Sequence, residues 1–100
     1  MTRSGRVPNG KFPIGRVVVT PGMGEAWAQN GGPALWRFLE CHAQGDWGDV
    51  NEHDREANET ALREGLRIWS VYHLKDGARF WIITEADRSS TTLLLPGEEY

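Results

Sequence analysis

The sequence predicts an α+β domain in which helices cover one face of an antiparallel sheet of about four strands, in the order β-α-α-α-β-β-β. Three observations carry this prediction. The last third of the chain alternates apolar and polar residues around an Asp76-Gly77 turn. The middle repeats apolar residues at helical spacing. A β-branched run, Val17-Val18-Val19-Thr20, stands ahead of the helices. The length of 100 residues allows one domain with one modest core.

Met1 to Lys11, with Pro8, Asn9 and Gly10, reads as a flexible basic tail, and residues 12–100 read as the domain. Ile14 to Thr20 suits a first strand, ended by Pro21 and Gly22. Met23 to Gln29 suits a short helix with Met23, Ala26 and Trp27 on one side. Asn30, Gly31 and Gly32 stop it, and Pro33 is placed to open a second helix. There Leu35, Phe38, Leu39 and His42 fall at i, i+3, i+4 and i+7, and Gly45 fits the C-terminal cap. Asp46 to Asp49 makes a tight connection. Asp49 and Glu52 have capping-box-like spacing for a third helix ending near Glu64. Its apolar positions are few (Ala57, Ala61 and Leu62), and Gly65 closes it. Leu66 to Leu74 places Leu66, Ile68, Ser70, Tyr72 and Leu74 on one face and Arg67, Trp69, Val71 and His73 on the other. Ala78 to Glu85 is its hairpin partner. Ala86 to Ser89 turns the chain, and Thr91 to Leu95 is a last strand stopped by Pro96.

Charge is unevenly placed. The first 16 residues hold Arg3, Arg6, Lys11 and Arg16 and no acid, whereas the whole chain carries a net charge of -3. The stretch from Glu40 to Glu64 is the most acidic. An acidic body weighs against direct nucleic-acid binding and suits a basic surface on a host protein or nucleoprotein complex. The surface expected to meet it comprises Asp46, Trp47, Asp49, Glu52, Asp54, Glu56 and Glu59. No apolar run approaches the ~20 residues of a membrane span. One cysteine, Cys41, makes no intrachain disulfide, so a cytoplasmic location is expected.

Chemistry-bearing motifs are sparse. His42, His53 and His73 lack the close pair spacing of zinc ligands, so no metal and no cofactor are expected. Cys41 and His42 point about 100° apart on a helix, and Cys41 reads as a buried inert thiol. Pro21-Gly22-Met23-Gly24 fits no phosphate-loop pattern. Metal-independent ribonuclease chemistry needs a base, an acid and a cation, for which His42, Arg67, Tyr72 and Arg88 are the candidates. His42 lies on an apolar stripe, however, where a satisfied core histidine is the simpler reading. A polar tract at Thr84, Glu85, Asp87, Arg88 and Ser89 suits either a phosphate-gripping site or a capped turn in which Arg88 pairs with Glu85 or Asp87. The five tryptophans include Trp69 and Trp81, placed to share a sheet face.

The segments His42-Ala-Gln-Gly-Asp-Trp-Gly-Asp49, Asn58 through Gly65, Trp81-Ile-Ile-Thr-Glu-Ala-Asp-Arg-Ser89 and Thr91-Thr-Leu-Leu-Leu-Pro96 resemble a family of short bacterial proteins borne by phages, plasmids and integrated elements and often labelled plasmid-related. The resemblance spans about Phe12 to Tyr100 and implies a mobile-element context. The tail lies outside it, and Gly97 interrupts what in the family looks like a shorter Leu-Pro-Glu-Glu-Tyr ending. In topology alone, helices followed by an antiparallel meander are similar to the barnase, colicin and RelE-like ribonucleases.

Three functions follow as expectations. The first is a non-catalytic interaction protein of mobile elements that inhibits a host defence complex, in the manner of an anti-CRISPR or anti-restriction protein. The second is a metal-independent endoribonuclease. The third is a small regulator without enzymatic activity that forms a homodimer through Trp69 and Trp81.

Overall fold

The computed structural model describes Val7, residues 9–30 and residues 35–98. Within them the chain forms β1 (Arg16–Val19), α1 (Pro21–Asn30), α2 (Leu35–Ala43), α3 (Glu52–Glu64), β2 (Ile68–His73), β3 (Arg79–Thr84) and β4 (Ser90–Leu94), an α+β arrangement. Among the described residues no helix is long and apolar enough to cross a membrane.

The strands lie in the order β1-β4-β3-β2. The β2–β3 and β3–β4 pairs are antiparallel, with Trp69 opposite Ile83 and Ile82 opposite Leu93. β1, however, runs parallel to β4, so the sheet is mixed rather than wholly antiparallel. Three helices carry the chain from β1 to the far edge, where β2 runs in the same direction as β1. Two hairpin reversals then return β4 to that direction beside β1.

The start of α1, the end of α2 and the start of α3 each have a local cause. α1 begins at Pro21, two residues before the predicted start, because proline suits a first helical position. The Met23 N–H donates to Thr20 Oγ1 at 3.3 Å. Glu98 sits over the same helix start, its Oε2 accepting from the Gly22 N–H at 3.0 Å and its Oε1 from the Thr20 hydroxyl at 2.5 Å. The Thr20 hydrogen bond in particular holds the Glu98 carboxyl below its ordinary range. α2 ends as predicted at Gly45 (φ 90°) in a Schellman motif: Gly45 N–H donates to His42 C=O and Asp46 N–H to Cys41 C=O. Pro33, predicted to open α2, lies outside the described residues. α3 is capped by Asn51, whose Oδ1 accepts from the Asp54 N–H at 2.8 Å, and not by Asp49. Asp49 is already engaged, with its N–H on the Val71 carbonyl and its carboxylate on His73.

All three helices contribute to one core against one sheet face. Met23, Leu39, Ala43 and Ala61 meet Ile68, Tyr72, Phe80, Ile82 and Leu93. The ring of Phe38 lies edge-on to Phe80 at 5.1 Å and to Trp27 at 6.0 Å. The opposite face carries Trp69 and Trp81, half-buried and T-shaped at 5.7 Å.

The expected tail boundary at Lys11 falls too late. Val7 is 4% exposed and joins the core, and the Lys11 N–H donates to the Ala43 carbonyl at 2.7 Å. Apolar Val7 and Phe12 bracket the turn at Asn9 and Gly10 and seat it against the end of α2. Residues 1–6 and Pro8, with Arg3 and Arg6, lie outside the described residues.

β2 is an edge strand whose outward backbone groups at Trp69 and Val71 are covered. The Asn58 carboxamide acts like a neighbouring strand: Nδ2 donates to the Trp69 carbonyl at 2.6 Å and Oδ1 accepts from the Trp69 N–H at 3.0 Å. Val71 is met by the Trp47 carbonyl and the Asp49 N–H. Gly48 lies between them at φ +75°, where a Cβ would run into the Val71 carbonyl. Asn58, 4% exposed, thus holds the inward position on α3 expected for Ala57, which is exposed. Asn58→Leu should destabilise the protein by about 2–3 kcal/mol, because it strands both Trp69 groups, and urea unfolding measures the loss.

Candidate functional site

A chain of hydrogen bonds crosses the core beneath the helices. His42 is 0% exposed, with Nδ1 2.6 Å from Ser70 Oγ and Nε2 2.8 Å from Thr84 Oγ1. Thr84 Oγ1 lies 2.7 Å from Thr91 Oγ1, which donates to the Ile14 carbonyl at 2.6 Å. A carbonyl only accepts, and this sets the direction of the whole chain. Thr91 gives its proton to Ile14, Thr84 gives its proton to Thr91, and Thr84 therefore accepts from His42 Nε2–H. Nδ1 then accepts from the Ser70 hydroxyl. The imidazole is neutral: burial, with the charge of Arg88 second, lowers its pKa from 6.5 to about 3. His42 is the satisfied core histidine that its apolar stripe predicts. With both nitrogens committed and no exposed surface, it is not placed for proton transfer with a solvent-side substrate.

The other members of the ribonuclease set are also held by the fold. The Tyr72 hydroxyl donates to the Asp46 carbonyl, and burial raises its pKa. Arg67 is exposed and pairs with Glu85 at 3.3 Å. Arg88, in the left-handed region at φ 62°, sends Nη1 to the Leu66 carbonyl at 2.6 Å and the Glu85 carbonyl at 3.2 Å. Its Nη2 reaches the Ala61 carbonyl at 3.1 Å, and its guanidinium lies 5.4 Å from the centre of the Phe12 ring. Arg88 is therefore a clamp between the α3 C-terminus, the β3–β4 turn and the Val7–Gly15 segment, placed where a cation complements the helix dipole. The structure does not bring these four side chains to one open surface.

The polar tract takes the form of a capped turn. Asp87 Oδ1 accepts from the Ser89 N–H at 2.9 Å, and this pairing with Ser89 holds the Asp87 carboxyl low. Thr84 belongs to the buried chain, and the Ser89 carbonyl accepts from the Arg16 N–H. Arg88 departs from expectation by binding backbone carbonyls instead of the carboxylates of Glu85 or Asp87. Glu85 is left to Arg67.

The predicted acidic surface divides in two. Trp47 does not belong to it: the side chain is 0% exposed, stacks on Phe12 at 6.3 Å and donates Nε1–H to Glu59 Oε2 at 2.9 Å. An indole is the largest apolar group the loop offers, and the gap between α2 and α3 takes it. Glu59 is thereby tied to the core, and Asp54 is half-buried beside the α3 cap. Asp46, Asp49, Glu52 and Glu56 remain exposed along the β2 edge and the first turns of α3. Glu52 pairs loosely with Arg55 at 3.7 Å. Asp49 Oδ2 lies 2.9 Å from His73 Nε2; this contact lowers the Asp49 pKa and raises that of His73.

Cys41 is half-buried rather than buried, and desolvation raises its thiol pKa. Among the described residues no three His, Cys, Asp or Glu side chains gather closely enough to hold a metal ion. Asn58 escaped sequence reasoning; its signal was a polar residue on the Ala61–Leu62 stripe of α3. No protein-family model, curated protein or solved structure matches this chain.

Proposed function

We propose that the protein is a non-catalytic interaction module that docks its exposed acidic flank, Asp46, Asp49, Glu52 and Glu56, on a basic surface of a partner. The supporting observation is the division of labour among polar side chains. The best catalytic candidates are committed to the fold, while carboxylates stand outward on a braced platform. Asn58, the Trp47–Asp49 segment and Arg88 fix α3 to the sheet, so the flank is presented with little ordering left to lose on binding. The mobile-element resemblance directs this reading to a nucleic-acid-binding surface of a host defence complex of CRISPR or restriction type, which the protein would occupy as an inhibitor.

Tagged protein isolated from a native host is expected to carry a stoichiometric protein or nucleoprotein partner that high salt releases. The double variant E52K/E56K should lose that partner while its unfolding free energy stays within about 1 kcal/mol of wild type, since both positions are exposed. Equal recovery by the variant, or recovery of RNA cut at defined positions, overturns the proposal.

A further inference from the structure

The sheet treats its two edges differently. The β2 edge is covered at Trp69 and Val71. The β1 edge is open: among the described residues no strand lies beyond it. The Arg16 N–H donates to the Ser89 carbonyl at 3.0 Å and the Thr20 N–H to the Leu93 carbonyl at 3.1 Å, so the even-numbered residues of β1 turn their amides toward β4. Val17 and Val19 therefore turn theirs outward. The two residues are 38% and 39% exposed. α1 packs over β4.

We propose that a second copy of this chain occupies the edge, with β1 pairing antiparallel to β1 about a two-fold axis at Val18. The outward amides set the register. Val17 faces the partner's Val19 and the two exchange N–H···O=C bonds, and symmetry repeats the exchange. In this register Arg16 falls opposite the partner's Thr20, on the same sheet face. Thr20 is the residue whose hydroxyl holds the Glu98 carboxylate at 2.5 Å. The exposed guanidinium of each copy thus meets an ionised carboxylate of the other, an arrangement that selects a self-complementary partner over an arbitrary strand. The acidic flank lies at the opposite end of the sheet, so this contact is independent of the docking proposed above, and both can form together. The interface is short and belongs to the small, exchanging class.

Sedimentation of the intact chain across the micromolar to millimolar range should show reversible conversion from 11.3 kDa to twice that mass. Backbone exchange at Val17 and Val19 should slow as concentration rises, whereas exchange at the flanking loops should not change. Val17→Lys should abolish the dimer and leave the thermal midpoint of the dilute monomer in place, because lysine blunts an edge without touching the β1–β4 ladder. Arg16→Glu, which keeps the backbone pairing and reverses one charge, should weaken dimerisation by about tenfold or more. Three results would overturn the proposal: a wild-type monomer throughout the range, a dimer indifferent to both substitutions, or a dimer lost instead in Trp81→Ala.

Discussion

Acidification from about pH 7 to about pH 4.5 should cost the folded protein roughly 2.5 kcal/mol through His42 alone. The buried imidazole titrates at about 3 in place of 6.5, chiefly because burial disfavours its charged form and secondarily because Arg88 is near. Above 6.5 both folded and unfolded chains carry a neutral ring. Between 6.5 and about 3 only the unfolded chain takes the proton. The stability present above 6.5 is therefore lost as the pH falls toward 3, at about 1.4 kcal/mol per unit. Urea unfolding across this window measures the slope. His42→Gln, whose amide can still donate toward Thr84 and accept from Ser70, should remove it. His73 acts in the opposite sense: its hydrogen bond with Asp49 raises its pKa, so that contribution fades as pH rises through the folded value. It is common to both proteins, so their difference isolates His42. Nitrogen-15 spectra of the ring offer a check that needs no variant. They should show the Nε2–H tautomer and no titration above about pH 4, and a ring titrating near 6.5 in folded protein would refute the buried chain.

Trp47→Ala should destabilise the protein by about 3–5 kcal/mol, a large part of what a domain of this size possesses. The side chain is 0% exposed, stacks on Phe12 and gives its N–H to Glu59. Its removal opens a cavity between α2 and α3 and strips a carboxylate of its donor. Trp36→Ala supplies the contrast. Trp36 is 41% exposed and bonds Glu40 on its own helix, so its loss should cost no more than about 1 kcal/mol. Denaturant melts of the two variants, compared with wild type, test the pair. Equal costs would mean that Trp47 is not the core residue described above. A Trp47 variant that fails to bind a partner therefore reports unfolding, whereas E52K/E56K reports contact.

The meander was legible in the sequence because its information is local. The two-residue period of the strand puts Ile68, Ser70 and Tyr72 on the helix side, and Asp76-Gly77 sets the register of the hairpin, with Gly77 at φ 92°. The apolar stripe of α2 likewise places Leu39 and His42 inward, and both are buried. The parallel pairing of β1 with β4 was not legible, since nothing in Val17-Val18-Val19 specifies a partner more than seventy residues away or its direction. The same limit applies to Arg88. Turn chemistry marked it as a polar turn residue, and its proximity to Ala61 and Leu66 arises only once α3 lies beside the β3–β4 turn. Trp47 was misplaced because a tryptophan between two aspartates in a short loop looks exposed in sequence, whatever cavity the tertiary fold provides for it.

The covered β2 edge also limits how the protein can aggregate. Growth of a sheet into a filament requires each molecule to accept a neighbour on both sides, so that every addition regenerates a free edge. Here the Asn58 carboxamide and the Trp47–Asp49 segment occupy one side. Among the described residues only the β1 edge remains to accept a strand, and a self-pairing edge is consumed by its first partner. Polymerisation through native sheets therefore terminates at two molecules, and longer assemblies require α3 to detach from β2 first. An Asn58 substitution should accordingly promote fibre formation more than its effect on stability alone would suggest.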